Sequence, residues 1–141
     1  MVVGLGTDLA EIGRVARSID RFGERFLDRI YTPAEIAYCG SKKSFAESYA
    51  ARFAAKEAAA KALGTGISRG VSWKEFEVTR EPGGKPGLQL HGRAAELAAR
   101  LGVSRISLSL THTREMAMAV VVMEDKGVGV GGREQLSVVS C

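Results

Sequence analysis

Cysteine is scarce in this 141-residue chain. Cys39 and Cys141 are the only two, so a disulfide framework is excluded, and the absence of any CxxC or Cys/His cluster removes a structural zinc site. Aromatic residues make up 6% of the chain, too few for the base-stacking platforms that single-stranded nucleic-acid binders use. Long apolar runs are also missing. The longest, Met116–Met123, falls far short of the ~20 residues a membrane-spanning helix needs. The opening MVVGLGTDLAEI has no basic start and reaches Asp8 early, unlike a secretory leader, and no residues follow Cys141 to complete a prenylation signal. The expected location is the cytoplasm, with no membrane and no nucleic acid as partner.

Hydrophobic residues make up 45% and charged residues 26%, the balance of a globular protein, and the length fits one domain that buries roughly two thirds of its unfolded surface. Twenty Lys+Arg against 16 Asp+Glu leave +4, a mild excess that suits an anionic partner.

Periodicity organises the chain. Val2–Asp8 reads as a buried strand, and Leu9 to Ile30 as a helix in which Arg17, Arg21, Arg25 and Arg29 recur every four residues beside Phe22, Phe26 and Ile30. Thr32-Pro33-Ala34-Glu35 carries a capping box that starts a short helix, with Gly40 as its stop. Ser44-Phe45-Ala46-Glu47 repeats that pattern and opens the strongest helix, with nine alanines between Ala46 and Ala62. Lys74–Arg80 alternates, Glu81–Pro86 is dense in turn residues, and Leu88 and Leu90 alternate again, which predicts a hairpin. A helix over Gly92–Leu101 follows. Ile106, Leu108 and Leu110 then alternate with polar residues, and Met116–Glu124 is apolar on both parities, as in a central strand covered on both faces. The order predicts an α+β fold with a long helix on a small antiparallel sheet. Residues 125–141 are glycine-rich and read as a tail after a domain over 1–124, with Leu136, Val138 and Val139 expected to lean on a neighbouring subunit.

Four groups of residues are candidates for chemistry. On the long helix, Glu57 and Lys61 lie one turn apart, and with Lys56 and Arg52 they stand in a wall of alanine that could turn charges onto a shared phosphate site; the alternative is a solvated ion pair. Asp8, at the end of an apolar strand, is either a helix cap or a metal ligand; one Asp and one Glu meet the one or two carboxylates that Mg²⁺ takes from a protein. His112 is by parity a core histidine, or else a strand-end donor beside Thr113 and Arg114 that could hold phosphate. Arg14 and the arginine stripe, flanked by Phe22 and Phe26, would suit an acidic partner helix or simply form a solvated face. Gly4-Leu5-Gly6 fails the dinucleotide fingerprint because Leu9 stands at its sixth position, and no Walker motif exists.

GLGTDLAEIGR at 4–14, FAAKEAAAKALGTG at 53–66, GGKP at 83–86 and SLTHTREMAMAVVV at 109–122 together resemble the small, single-domain group of the 4′-phosphopantetheinyl transferase family, over about positions 1–124. The resemblance implies an α+β homotrimer with active sites at subunit interfaces. It implies transfer of 4′-phosphopantetheine from coenzyme A to a serine of an apo acyl carrier protein, with release of adenosine 3′,5′-bisphosphate, in support of fatty acid biosynthesis. By that resemblance Asp8 and Glu57 are Mg²⁺ ligands and Lys61 serves the diphosphate. Arg52, His112 and Thr113 surround the nucleotide phosphates, with Lys56 of the helix charges also expected at the cofactor, and Gly64, Gly84, Lys85 and Pro86 lie along coenzyme A. Arg14, Arg21, Arg25, Phe22 and Phe26 dock the carrier protein. The sequence departs from the family at Met116, where an aromatic is frequent, and from Asp125 onward. A trimeric scaffold without activity is the competing reading within the family, and the presence of Asp8, Glu57 and Lys61 argues against it. The nucleophile belongs to the partner; for the general base a metal-bound water, Glu57 and His112 all stay open.

Overall fold

The first strand outruns its apolar segment. In the computed structural model, which describes residues 1–127, β1 spans Val2–Glu11 and pairs antiparallel with β5, Met116–Glu124, from Val2 opposite Glu124 to Glu11 opposite Met116, with a register shift between Val2 and Gly4. That ladder holds Leu9 and Ala10 extended, so the helix expected from Leu9 begins only at Ile12. The same helix is also interrupted. Gly23, with φ +56°, ends α1 (Ile12–Phe22) and opens α2 (Glu24–Ile30), so Arg17 and Arg21 stand on one helix and Arg25 and Arg29 on the next.

α3 (Pro33–Gly40) starts as the sequence predicts: the Thr32 hydroxyl accepts from the Glu35 N–H, and the Glu35 carboxylate accepts from the Thr32 N–H. The box expected at Ser44 is not made; α4 (Phe45–Ala62) begins without a side-chain cap. A 3₁₀ turn at Trp73–Glu75 leads into the hairpin of β2 (Phe76–Arg80) and β3 (Pro86–Leu90), followed by α5 (Gly92–Arg100) and β4 (Arg105–His112). The larger sheet has the order β1-β5-β4, all antiparallel.

The core lies between that sheet and α4. Ala54, Ala55, Ala58, Ala59 and Ala60 are fully buried, as are Ala117, Ala119, Val121 and Met123 of β5. The helix comes unusually close to β1 because the strand offers no side chains at Gly4 and Gly6: a Cβ at either would run into the backbone carbonyl of Ala62 or Ala58. The two glycines that failed the nucleotide fingerprint are therefore there for close approach. β5 is central, as expected, but α4 covers one face only. Met116, Met118, Val120 and Val122 alternate onto the other face, where Leu5 opposite Val122 and Leu9 opposite Met118 remain about 60% exposed. The contacts expected of Leu136, Val138 and Val139 lie outside the described residues.

Candidate active site

Asp8 sits on β1 in the same alternating set as Gly4, Gly6 and Ala10, the face turned to α4. It caps no helix, since the strand continues for three more residues and Glu11 occupies the cap position of α1. Its Oδ1 accepts from the Lys61 ammonium at 2.9 Å, and the same ammonium donates to the Thr7 carbonyl at 3.0 Å. Glu57, one turn before Lys61, faces the same place: burial first, and then the Asp8 carboxylate, push its pKa above the ordinary glutamate value, against the opposing pull of Lys61. Two residues 49 positions apart in sequence are thus in one electrostatic site.

The pair is suited to a hard cation. Among the described residues no three His, Cys, Asp or Glu side chains cluster to enclose an ion. Two carboxylates therefore leave most coordination positions open. That matches Mg²⁺, which keeps water and substrate oxygens in its shell, and not an all-protein cage. The Asp8 carboxylate adds to burial in raising the Glu57 pKa, and a divalent ion between the two would offset that like-charge part.

Glu57 also lines a cavity of about 400 Å³ with Arg14, Ser18, Phe26, Phe53 and Met116. Arg14 and Phe26, expected on a docking surface, are therefore joined to the carboxylate site, and Met116 forms part of the wall. Phe22, with Arg25, Phe26 and Arg29, lines a second groove of about 310 Å³; Phe22 is half exposed and its ring lies under Arg21.

Arg52 and His112 meet elsewhere. Arg52 is 4% exposed, stacks on Tyr38 with its guanidinium carbon 4.4 Å from the ring centroid, and its Nε has no hydrogen-bond partner. With Arg80, Glu47 and His112 it lines a cavity of about 180 Å³. His112 is exposed, not the core residue its parity predicts: it pairs with the buried Ala117 but lines the cavity beside Arg52 of α4. A buried, unpartnered arginine nitrogen beside a second arginine and a histidine is the chemistry of an anion site. Thr113 holds the adjoining turn, its Oγ accepting from the N–H groups of Glu115 and Met116. Gly84, in the hairpin turn, lies against Arg80, with Lys85 beside it and Pro86 opening β3; Gly64 comes just after Leu63, the C-cap of α4, its N–H bonded to the Lys61 carbonyl.

Lys56 does not join any of these. Its side chain is wholly buried on the far side of α4, and its ammonium donates to Glu35 (2.7 Å) and to the Phe76 (2.7 Å) and Trp73 (3.3 Å) carbonyls, which uses all three donors. The expectation that it touches a nucleotide is corrected on this ground. Sequence reasoning missed its partner Glu35, whose only signal was a capping box, and Arg80, which read as the end of an alternating strand.

The family model for the 4′-phosphopantetheinyl transferase superfamily matches residues 4–121. A holo-[acyl-carrier-protein] synthase of Koribacter versatilis is 58% identical over 125 residues, 89% of this chain and 100% of the relative. Among solved structures, the holo-[acyl-carrier-protein] synthase of Neisseria meningitidis superposes with a TM-score of 0.80 at 37% identity, covering 89% of this chain and 100% of that one. The Helicobacter pylori enzyme of the same name, in complex with coenzyme A, has a TM-score of 0.75 at 32% identity over 85% and 99%.

Proposed function

The chain belongs to the 4′-phosphopantetheinyl transferase superfamily, and we propose that residues 1–124 form a Mg²⁺-dependent transferase that moves 4′-phosphopantetheine from coenzyme A to a serine of an apo acyl carrier protein in the cytoplasm, in the service of fatty acid synthesis. The observation that carries this reading is the convergence of Asp8, Glu57 and Lys61 at the β1–α4 contact.

In the reaction the serine oxygen of the carrier attacks the phosphorus that bears pantetheine. The bond from that phosphorus to the bridging oxygen breaks, and adenosine 3′,5′-bisphosphate leaves. Such transfers are catalysed by positioning and by charge placed against the diphosphate. Asp8 and Glu57 would hold the Mg²⁺, which supplies charge neutralisation at the diphosphate oxygens. Lys61 is a cation already aimed at the same point, held there by Asp8 and the Thr7 carbonyl. Arg52, Arg80 and His112 offer an anion pocket for a further phosphate of the nucleotide. The cavity that runs from Glu57 to Arg14 and Phe26 opens the site toward the arginine-rich helices, where an acidic carrier surface would dock. The protein thus needs no nucleophile of its own.

A homotrimer is part of the proposal. The uncovered face of the β1-β5-β4 sheet, with Leu5, Leu9, Met118, Val120 and Val122, needs an apolar partner. Arg52 and Glu57 lie on different faces of α4, which supports a substrate that bridges two subunits.

The test is mass spectrometry of an apo acyl carrier protein incubated with this chain, coenzyme A and Mg²⁺. A mass gain of one phosphopantetheine is expected, and none when Mg²⁺ is chelated. No gain across several carriers would reverse the reading.

A further inference from the structure

α4 presents the sheet with a surface that does little to define its own rotation. Where it meets β1 its residues are Ala58 and Ala62 and those of the strand are Gly4 and Gly6, while its large side chains lie in its first half, Tyr49 packed on Tyr31 and Phe53 on Trp73. Such an interface has close backbone contact but no large side chains interdigitating as ridges in grooves, so it resists separation better than it resists turning. The catalytic arrangement is sensitive to turning. Side-chain tips lie about 5–6 Å from a helix axis, so a rotation of about 20° moves Glu57 and Lys61 by about 2 Å relative to Asp8. A misplacement of about 1 Å can cost about a hundredfold in rate.

The opposite side of the helix carries the one buried charge pair of the described residues. Lys56, immediately before Glu57, is fully enclosed, and its three donors reach three separate elements: Glu35 of α3, Trp73 of the 3₁₀ turn and Phe76 of β2. Glu35 is fixed in turn. Its other oxygen accepts from the Val78 N–H at 2.8 Å, and Oε1 also accepts from the Thr32 N–H at 2.8 Å. Neither group reaches solvent. Burying two charges is a weak route to stability, and apolar replacement of such pairs is often neutral or stabilising. A directional anchor in the second half of α4, beyond Tyr49 and Phe53 and next to Glu57, has a different use.

We propose that Lys56 and Glu35 are positioning residues that set the rotation of α4 and so hold Glu57 and Lys61 against Asp8. This rests on the functional reading above and adds to it: one helix turns a paired lysine inward to fix its angle, and the next residue outward to meet the cation.

The experiment compares the full chain with Lys56→Met and with the double variant Lys56→Met/Glu35→Gln. The single change leaves a buried unpaired carboxylate and is expected to destabilise the protein strongly. The double change removes both charges of the pair, and the glutamine amide can accept from Val78 or Thr32 and donate toward the vacated carbonyls. Three quantities are read: thermal midpoint, Mn²⁺ affinity by electron paramagnetic resonance in the presence of coenzyme A, and the kcat and KM of transfer. The expected result for the double variant is a thermal midpoint near the parent's, Mn²⁺ binding weakened at least tenfold, kcat lowered at least tenfold, and carrier-protein KM unchanged. A double variant that folds and keeps parental Mn²⁺ affinity and kcat overturns the proposal, because the pair then serves only the fold. One that cannot fold overturns it as well, since the pair would be a folding requirement. A parent chain that neither binds Mn²⁺ nor transfers defeats the functional reading instead, which separates the two failures.

Discussion

Lys61 on α4 donates to Asp8 on β1 at 2.9 Å, across 53 positions of sequence. The contact is possible because the two elements touch backbone to backbone at Gly4 and Gly6, and it brings the Glu57 carboxylate within electrostatic reach of Asp8. Half of the Lys61 side chain stays exposed while that of Asp8 is 15% exposed, so the lysine head is open to a ligand and its partner is sheltered.

Glu57 costs the fold stability for the sake of the site. Burial and the nearby Asp8 raise its folded pKa above the ordinary glutamate value, so the folded state holds the proton more tightly than the unfolded one. Stability therefore falls as pH rises from the unfolded value through the folded one, and the cost is complete above it. Glu57→Gln is expected to raise the thermal midpoint at pH 8, with the advantage gone at about pH 4, while transfer is lost. Calorimetry at the two pH values checks this; an unchanged or lower midpoint at pH 8 contradicts it.

Asp8→Ala and Glu57→Ala should each lower kcat on the order of 10²–10³-fold, the range for removing one stabilising group from a preorganised site. Circular dichroism should show the fold intact. The double variant should be little worse than either single one, since each alone already breaks the joint site. Additive losses would point to two independent roles.

The close approach of helix and strand predicts a severe response at Gly6. A Cβ there meets the Ala58 backbone, which cannot move aside without shifting α4. Gly6→Ala should cost about 1–3 kcal/mol, the range for overpacking, as measured by urea unfolding, and activity should fall in the fraction that remains folded. Gly23→Ala, at a turn where nothing lies within 4 Å, should strain the backbone (φ +56°) but leave transfer in the folded fraction unchanged.

Arg21→Glu and Arg25→Glu should raise the carrier-protein KM roughly tenfold at low salt and less in 0.5 M salt, with kcat little changed, because exposed charges act mainly on encounter. A KM unaltered at low salt would remove docking from this surface.

Most of the elements were legible because periodicity and capping residues report local structure. The Thr32 box, the alanine helix, the 76–90 hairpin and the central β5 stand where the sequence puts them. The helix start was not legible. Leu9 and Ala10 suit a helix locally, and only pairing with Met118 and Ala117 keeps them extended. Gly23 broke the arginine repeat although the spacing ran through it. The site was half legible. Asp8, Glu57 and Lys61 share one place, but the composition of α4 does not reveal which lysine turns inward: Lys56 and Lys61 look alike in sequence, and a single buried acid on α3 decides between them. His112 misled because parity names a strand's face and not whether that face meets packed side chains or, as here, a cavity.

The central claim is that Asp8 and Glu57 together hold one divalent ion. Its most direct test is anomalous diffraction from a crystal of the chain soaked with Mn²⁺ and coenzyme A. One peak per chain is expected, with an Asp8 and a Glu57 carboxylate oxygen both about 2.0–2.3 Å away, the range for oxygen ligands of small divalent ions. A peak bound by one of the two carboxylates alone, or none at the β1–α4 contact, would contradict it.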